Sequence, residues 1–304
     1  MTAVAALQMS LPTLPVELID CIIQNISRTD LVAVSQTSAS LCPVAQRLLY
    51  RHICISPWSR SINAVATLAH RPDLAHCVRS FSITTSTFPP LFPAFYRLLA
   101  NALSGMTEIV SLNLLIDSNA SWVMEKIGRN VTYHRLQQFT CAFPLDSTVM
   151  EFLGSTPALL QLEVDSIPCT PSFPIPPFPA TAIPHLVQFI GSARAARVIV
   201  PGRPLEIIHL NEGDLDEEDL ACLARASANV LVLGATASTP PVPLLESIAR
   251  HLPHLAYLRI MTTYHFTHAP AAVSFIFTME IIILTSCCRN LWTKLPMPWL
   301  HSLI

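Results

Sequence analysis

The sequence is poor in glycine, and this scarcity excludes several kinds of enzyme site. Only seven of the 304 residues are glycine, and no two of them lie within ten residues of each other. Loops that hold nucleotide phosphates need two or more glycines within about six residues, and the nucleophile elbow of hydrolases needs a glycine on each side of its serine. The sequence contains neither motif.

Charge of either sign is also scarce. Charged residues make up 12% of the chain, against about 25% in typical soluble domains. The 18 basic and 20 acidic residues give a net charge of −2, so there is no basic excess that would attract nucleic acid. The hydrophobic share of 51% is large enough to build a sizeable core without disulfides or metals. We therefore expect a folded protein with no nucleic-acid partner.

The nine cysteines include no Cys-x-x-Cys pair that would indicate a zinc site or a redox pair. We interpret them as buried or free thiols of a reducing compartment. Residues 1–6 carry neither a basic leader nor a long apolar stretch, which argues against a secretory signal. The predicted location is cytoplasmic or nuclear.

No set of side chains in the sequence predicts catalysis. His265 and His268 lie three residues apart, but no acidic or thiol ligand is close to them in the sequence. Cys141 and His134 have no orienting partner that the sequence identifies. We therefore predict no catalytic residue, no cofactor and no metal site, and we expect a protein that is not an enzyme.

Residues 12–55 have the periodicity of three short amphipathic helices. Apolar residues of the first stretch recur every three or four positions, which predicts a helix with one wide apolar face. Ser27 and Asp30 break this period and offer capping side chains for a second helix. So small a bundle cannot bury all of its apolar surface, so we expect something else to cover part of it. The apolar positions are Pro15, Leu18, Ile19, Ile22, Ile23 and Ile26, then Leu31 and Val34, then Val44, Leu48 and Leu49.

Three stretches of this segment resemble the F-box motif of fungal F-box proteins. They are Leu14–Ile19 (Leu-Pro-Val-Glu-Leu-Ile), Asp30–Ser35 and Leu48–Ile53, and the chain has Leu41 where many members of the family have tryptophan. The resemblance implies a trihelical module that docks on the SKP-type adaptor of a cullin–RING (SCF) ubiquitin ligase. On that resemblance the adaptor-binding residues are Leu14, Pro15, Leu18, Ile19, Ile22, Leu31 and Val34.

The chain from residue 56 to residue 268 alternates short strand patterns with helical ones. A linker over 56–78, with a helix predicted at Ser61–His76, leads into a body over 79–268. From the second strand pattern onward, neighbouring patterns lie about 20 to 27 residues apart, which is the spacing of leucine-rich repeats. We predict a mixed α/β fold, with the trihelical module followed by an irregular leucine-rich-repeat-like α/β solenoid whose strand face is free to bind. The predicted strands are Phe81–Ile83, Leu112–Leu114, Phe139–Cys141, Leu160–Val164, Leu186–Phe189, Leu205–Ile208, Val230–Leu233 and Leu255–Ile260, and the predicted helices are Phe95–Leu103, Thr148–Leu153, Leu215–Ala228 and Pro243–His251.

Three segments interrupt this pattern. The acidic run 211–219 is explained by helix capping and the helix dipole, with a cation or basic-peptide site as the alternative. The proline-dense stretch 168–184 is interpreted as an exposed loop between repeats, and alternatively as a polyproline ligand. The tail 269–304 contains an apolar run with Glu280 near its middle. We interpret this run as a terminal strand or helix, with an atypical tail and, least favoured, a membrane segment as alternatives.

These features together favour a non-catalytic substrate receptor. The trihelical module would bind a SKP-type adaptor and, through it, the cullin ligase core, while the repeat body would hold a target protein that the sequence does not identify. The alternative is a protein-interaction scaffold of leucine-rich-repeat type with no ligase link, in which the first helices only cap the repeats. A membrane-tethered protein using residues 271–288 is a third, weaker alternative.

Overall fold

The computed structural model describes residues 14–56, 63–85, 92–128, 131–164, 178–179, 181–238, 241–265 and 274–282. Within these ranges the chain forms eleven α-helices and ten β-strands, which confirms the predicted mixed α/β class. The chain divides into two compact units, residues 1–159 and residues 160–304. None of the helices in the described ranges is long and apolar enough to cross a membrane.

The first unit begins with three short helices. They are α1 (Val16–Ile23), α2 (Arg28–Thr37) and α3 (Cys42–Leu49), and both α1 and α2 pack against α3. Ser27 caps α2, because its side chain accepts a hydrogen bond from the backbone N–H of Asp30. A proline lies in the first turn of α3, where its missing N–H leaves no hydrogen bond unmade. The helices share a core made of Ile19, Ile23, Leu31, Leu41 and Val44.

Four parallel strands follow in the first unit, and each pairs with the next along the chain. Parallel neighbours require a crossover connection, and helices supply it here. The elements are β1 (His52–Ile55), α4 (Asn63–His70), α5 (Pro72–Ala75), β2 (Ser80–Thr84), α6 (Pro93–Gly105), β3 (Ser111–Leu115), a 3₁₀ turn (Ser118–Ala120), α7 (Trp122–Gly128), β4 (Gln138–Cys141) and α8 (Ser147–Gly154).

The second unit repeats this plan with five parallel strands and one antiparallel strand at its end. The elements are β5 (Gln161–Val164), β6 (Gln188–Ser192), α9 (Ala193–Ile199), β7 (Ile207–Asp214), α10 (Glu217–Leu223), β8 (Val232–Thr236), α11 (Pro241–His251), β9 (Tyr257–His265) and β10 (Ser274–Ile282).

Each unit is built around columns of apolar side chains that stack from strand to strand. Strand side chains alternate between the two faces of a sheet, so strands in register align every second residue. These aligned positions are buried in both units, and this packing fixes the register. One column of the first unit contains Ile53, Phe81, Leu112 and Phe139, and the matching column of the second unit contains Leu162, Phe189, Ile208, Leu233 and Leu258.

Several strands start two residues later than the sequence predicted. Leu186, Leu205 and Leu255 each begin a predicted run, yet each lies in a turn before the strand and is buried there. The backbone N–H of Leu205, for example, bonds the carbonyl of Arg203, two residues earlier. The apolar pattern therefore marked burial correctly, but burial begins in the turn.

Helix positions depart from the prediction in three ways. The predicted helix Ser61–His76 is two helices, because Pro72 disfavours a helical conformation at Arg71, whose φ and ψ are −124° and 82°. The predicted helix Leu215–Ala228 is shortened to α10. The sequence analysis predicted neither α7 nor α9, and it assigned the residues of β1 to the end of the trihelical module.

Parts of two predicted segments lie outside the described residues. Within the proline-dense stretch 168–184 the structure describes 178–179 and 181–184, and within the tail 269–304 it describes 274–282. The latter residues form β10, which pairs antiparallel with β9. The tail therefore contributes a strand, one of the two elements predicted for it.

Candidate functional site

Helix α1 presents two apolar stripes, and only one of them is covered. Ile19 and Ile23 point into the core of the three helices and are 5% and 2% exposed. Leu18 and Ile22 precede them by one residue, which turns their side chains about 100° around the helix axis. They are 51% and 47% exposed. Since Leu18 and Ile22 are one turn apart, they form a continuous apolar stripe on the surface of α1.

Further apolar side chains are exposed on the same helices. Val16 on α1 and Val32 on α2 are about half exposed, and Pro15 is exposed at the start of α1. The described residues include eight large hydrophobic side chains that are exposed, and four of these lie on α1 and α2. Exposed apolar area concentrated on one part of a domain is typical of an interaction surface.

The seven residues predicted to bind an adaptor divide into three groups. Pro15, Leu18 and Ile22 are exposed. Leu14 and Val34 are partly buried and pack against the shared core of the helices. Ile19 and Leu31 belong to that core. The structure therefore brings three of the seven to the surface, while two help to hold the helices together.

The sequence analysis did not resolve which member of each adjacent apolar pair faces outward. Both residues are apolar in the pair Leu18 and Ile19 and in the pair Ile22 and Ile23. A helical period alone is therefore consistent with either member of each pair facing the core. It also omitted Val16 and Val32 from the surface. In the structure the carboxylate of Asp20 bonds Arg47 of α3 at 2.6 Å, so that side of α1 faces α3.

A polar cluster lies on the strand face of the second unit, at one register level of three adjacent strands. His209 of β7 pairs with Gly234 of β8, which pairs with Arg259 of β9. A Cβ atom on Gly234 would lie 2.5 Å from Nδ1 of His209, so the glycine makes room for the imidazole. Burial, together with the charge of Arg259, lowers the pKa of His209. Glycine inside a strand was the sequence signal for this close approach.

The acidic run 211–219 covers the end of β7 and the start of helix α10, and the carboxylates of residues 216–219 are engaged within the second unit. Asp216 and Asp219 form a reciprocal capping box at the start of α10. The guanidinium of Arg197 bonds Asp216, Glu218 and Asp219 at 2.6 to 2.9 Å, and these contacts raise the pKa of Arg197. The capping interpretation is confirmed for residues 216–219, whereas residues 211–214 form the end of β7.

Arg203 is a buried residue whose role the sequence did not indicate. Its guanidinium donates to the carbonyls of Pro179, at 2.7 Å, and Ala182, at 3.0 Å, and to two carbonyls at the end of α9. It also lies 5.0 Å from the ring centroid of Phe178. Burial lowers the pKa of Arg203 to about 10, so the group still carries its charge at neutral pH. Arg203 thus ties the end of the proline-dense stretch to α9.

Of the remaining candidates from the sequence, His268 of the pair His265 and His268 lies outside the described residues. Cys141 is buried in β4, while His134 is exposed. In the described ranges no three His, Cys, Asp or Glu side chains lie together in a way that could hold a metal ion.

Comparison with known proteins identified no relative of this chain. No family model matches the chain, and no curated protein matches it. The exposed stripe of α1 and the strand faces are therefore the surfaces of this chain that indicate a function.

Proposed function

We propose that this protein is a substrate-recognition subunit of an SCF-type cullin–RING ubiquitin ligase. The first three helices would bind a SKP-type adaptor, and the repeat-like body would bind a target protein. The proposal assigns no chemical step to the chain itself, because such a subunit acts by positioning the target.

The exposed stripe of Leu18 and Ile22 is the observation that carries this proposal. The helices have an apolar core of their own, so the stripe is not needed to hold them together. Burying two such side chains against a partner would contribute roughly 1.5 to 3 kcal/mol each. A helical partner surface suits a stripe of residues one turn apart.

The alternation of strands and helices supports the role given to the body. In each unit, parallel strands follow one another in sequence order and helices join most of them, as expected of a leucine-rich-repeat-like solenoid. The residues between the buried columns point to the opposite face of the strands. That face is available for binding in such repeats, and we assign the target-binding role to it.

One observation favours the scaffold alternative. Helix α3 ends at Leu49, and β1 begins at His52 and pairs directly with β2. In the scaffold alternative, a bundle joined this closely to the sheet has no role other than to cap the first strand. In that case the stripe on α1 would have no partner.

The double substitution Leu18→Asp with Ile22→Asp separates the two functions. Both side chains are about half exposed, so the helices should keep their fold. Binding to a purified SKP-type adaptor should weaken by about 100-fold or more, because each carboxylate would be desolvated without a partner. The measurement is a titration of the full-length protein with the adaptor.

The matched control is Val242→Asp, on an exposed valine of α11 in the second unit. Adaptor binding should not change in this variant, and circular dichroism should show the same melting temperature for both variants. Equal adaptor affinity of the double variant and the unmodified protein would overturn the proposal. Aspartate at Ile19 or Leu31 is not a suitable test, since both residues lie in the core and their loss would unfold the helices.

A further inference from the structure

A cleft in the first unit is lined by three arginines that come from two parts of the chain. Arg47 lies on α3, Arg51 lies between α3 and β1, and Arg79 immediately precedes β2. The cleft has a volume of about 270 Å³, and Asp20, His76 and Cys77 also line it. Nothing in the proposed adaptor or target contacts uses these residues.

The positive charge of this cleft exceeds its negative charge. Asp20 is its single carboxylate, and it bonds one nitrogen of Arg47. Arg79 uses one nitrogen to reach the carbonyl and the carboxylate of Glu108, at 2.8 and 3.0 Å. The other N–H groups of these two guanidiniums remain available to a ligand, because a guanidinium carries five donors.

Arg51 distinguishes the cleft from an ordinary cluster of surface ion pairs. Its side chain is exposed, and in the described part of the chain its guanidinium has no hydrogen-bond or ion-pair partner. The backbone around it is fixed, because the Arg51 carbonyl accepts hydrogen bonds from the N–H groups of Arg79 and Ser80. Arg51 therefore brings a guanidinium without a carboxylate partner to the lining of this cleft.

Cys77 lines the cleft together with Arg47 and Arg79. Burial raises the pKa of the Cys77 thiol, and the charges of Arg47 and Arg79 oppose that rise. The thiol therefore lies within reach of both positive charges, in the same cleft that a ligand would fill.

We propose that this cleft binds a dianionic oxyanion of the phosphate-monoester type. Planar guanidinium groups bind phosphate oxygens in pairs, and they do so more strongly than they bind neutral acceptors. A ligand with a single carboxylate would gain less binding energy, because the carboxylate of Asp20 already occupies one such position next to Arg47. A second negative charge on the ligand interacts with Arg51, which has no carboxylate of its own. The phosphate could be a free ion or a group on a phosphorylated side chain, and both present the same oxygens.

The test measures phosphate binding by the full-length protein and by charge variants. Inorganic phosphate and a short phosphoserine peptide are titrated separately at constant ionic strength, with chloride as the reference anion. Arg51→Gln should weaken phosphate binding by roughly ten-fold, which corresponds to the loss of one charge-assisted hydrogen bond. Arg97→Gln, at an exposed arginine of α6, makes the same charge change elsewhere and should leave the affinity within about two-fold of the original.

A second variant should change the affinity in the opposite direction. Asp20→Asn removes the carboxylate that competes for Arg47, so phosphate should bind a few-fold more tightly, as expected from simple charge interaction. General loss of folding cannot produce tighter binding. Phosphate should also slow the alkylation of Cys77, whereas alkylation of the exposed Cys54 should not change.

Two outcomes would overturn the proposal. The first is that neither inorganic phosphate nor the phosphoserine peptide binds more tightly than chloride to the unmodified protein. The second is an equal loss of affinity in Arg51→Gln and Arg97→Gln. Binding of the peptide but not of the free ion, or of the free ion but not of the peptide, supports the site and identifies the source of its phosphate. Arg51→Gln and Arg97→Gln leave Leu18, Ile22 and the contact between α1 and α3 intact, so adaptor binding should be normal in both of these variants.

Discussion

The two units have equivalent buried columns but different strand faces. In the first unit the face opposite the columns carries small polar residues, among them Ser80, Ser82, Ser111, Asn113 and Thr140. The corresponding face of the second unit carries Ile207, Val232 and Tyr257, and next to them His209, Gly234 and Arg259. The columns alone are therefore sufficient to align the strands, and the residues between them can differ widely without changing the fold.

The units also differ in the polar groups that they bury. Tyr133 in the first unit donates one hydrogen bond, at 2.9 Å, to the carbonyl of Leu103, and burial raises its pKa. Arg203 in the second unit buries a full charge against four backbone carbonyls. The second unit thus depends more on internal electrostatics than the first does. Three predictions test this difference.

The largest effect is expected from Arg203→Met. The substitution replaces the guanidinium by an apolar side chain of similar length. It leaves the buried carbonyls at Pro179 and at the end of α9 without donors. It should lower the free energy of unfolding by about 2 to 4 kcal/mol, measured by urea denaturation. Tyr133→Phe is the comparison in the first unit and should cost about 1 kcal/mol, because one neutral hydrogen bond is lost. An equal loss of unfolding free energy in Arg203→Met and Tyr133→Phe would contradict the proposed difference between the two units.

A smaller effect is expected from Gly234→Ala. The new Cβ would lie 2.5 Å from Nδ1 of His209, so the imidazole has to move. We expect a loss of about 1 to 2 kcal/mol in urea denaturation. Adding His209→Ala should restore most of that loss, since the two effects share one contact. Ser82→Ala, on the small polar face of the first unit, should change stability by less than about 0.5 kcal/mol. A similar loss in Gly234→Ala and Ser82→Ala would show that the close contact is unimportant.

The smallest effect is a dependence on pH. Because burial and Arg259 lower the pKa of His209 in the folded state, the unfolded chain binds this proton more readily. Stability from this group is therefore complete above the ordinary histidine pKa of about 6.5 and is lost as pH falls below it toward the lower folded value. Unfolding in urea at pH 7.5 and at pH 5.5 should show a larger decrease for the unmodified protein than for His209→Gln. An identical decrease in the two proteins would exclude His209 as the source.

The sequence predicted strands β2 to β9 because their apolar positions alternate over stretches of four or five residues. Phe81 and Ile83 show this, since both are buried and one polar residue separates them. It did not predict α9, because that helix is buried through small residues. Ala193, Ala195 and Ala196 pack closely without forming the broad apolar stripe by which a helix is recognised.

The candidate site was predicted at the level of the helix but not of the residue. Periodicity located an amphipathic α1, yet Leu18 and Ile19 differ only in the direction they face, and that direction depends on how α1 packs against α3. The arginine cleft was not predicted at all. Arg47, Arg51 and Arg79 are spread over more than thirty residues of sequence, and only the pairing of β1 with β2 brings them together.

Only Tyr50 and Arg51 separate α3 from β1, and the carbonyl of Arg51 is anchored to the start of β2. A connection this short has almost no freedom to swivel. Any molecule that bound to the outer side of α1 would consequently be held at a fixed angle to the four strands of the first unit. Lengthening the joint by a few flexible residues would preserve attachment and lose that fixed orientation.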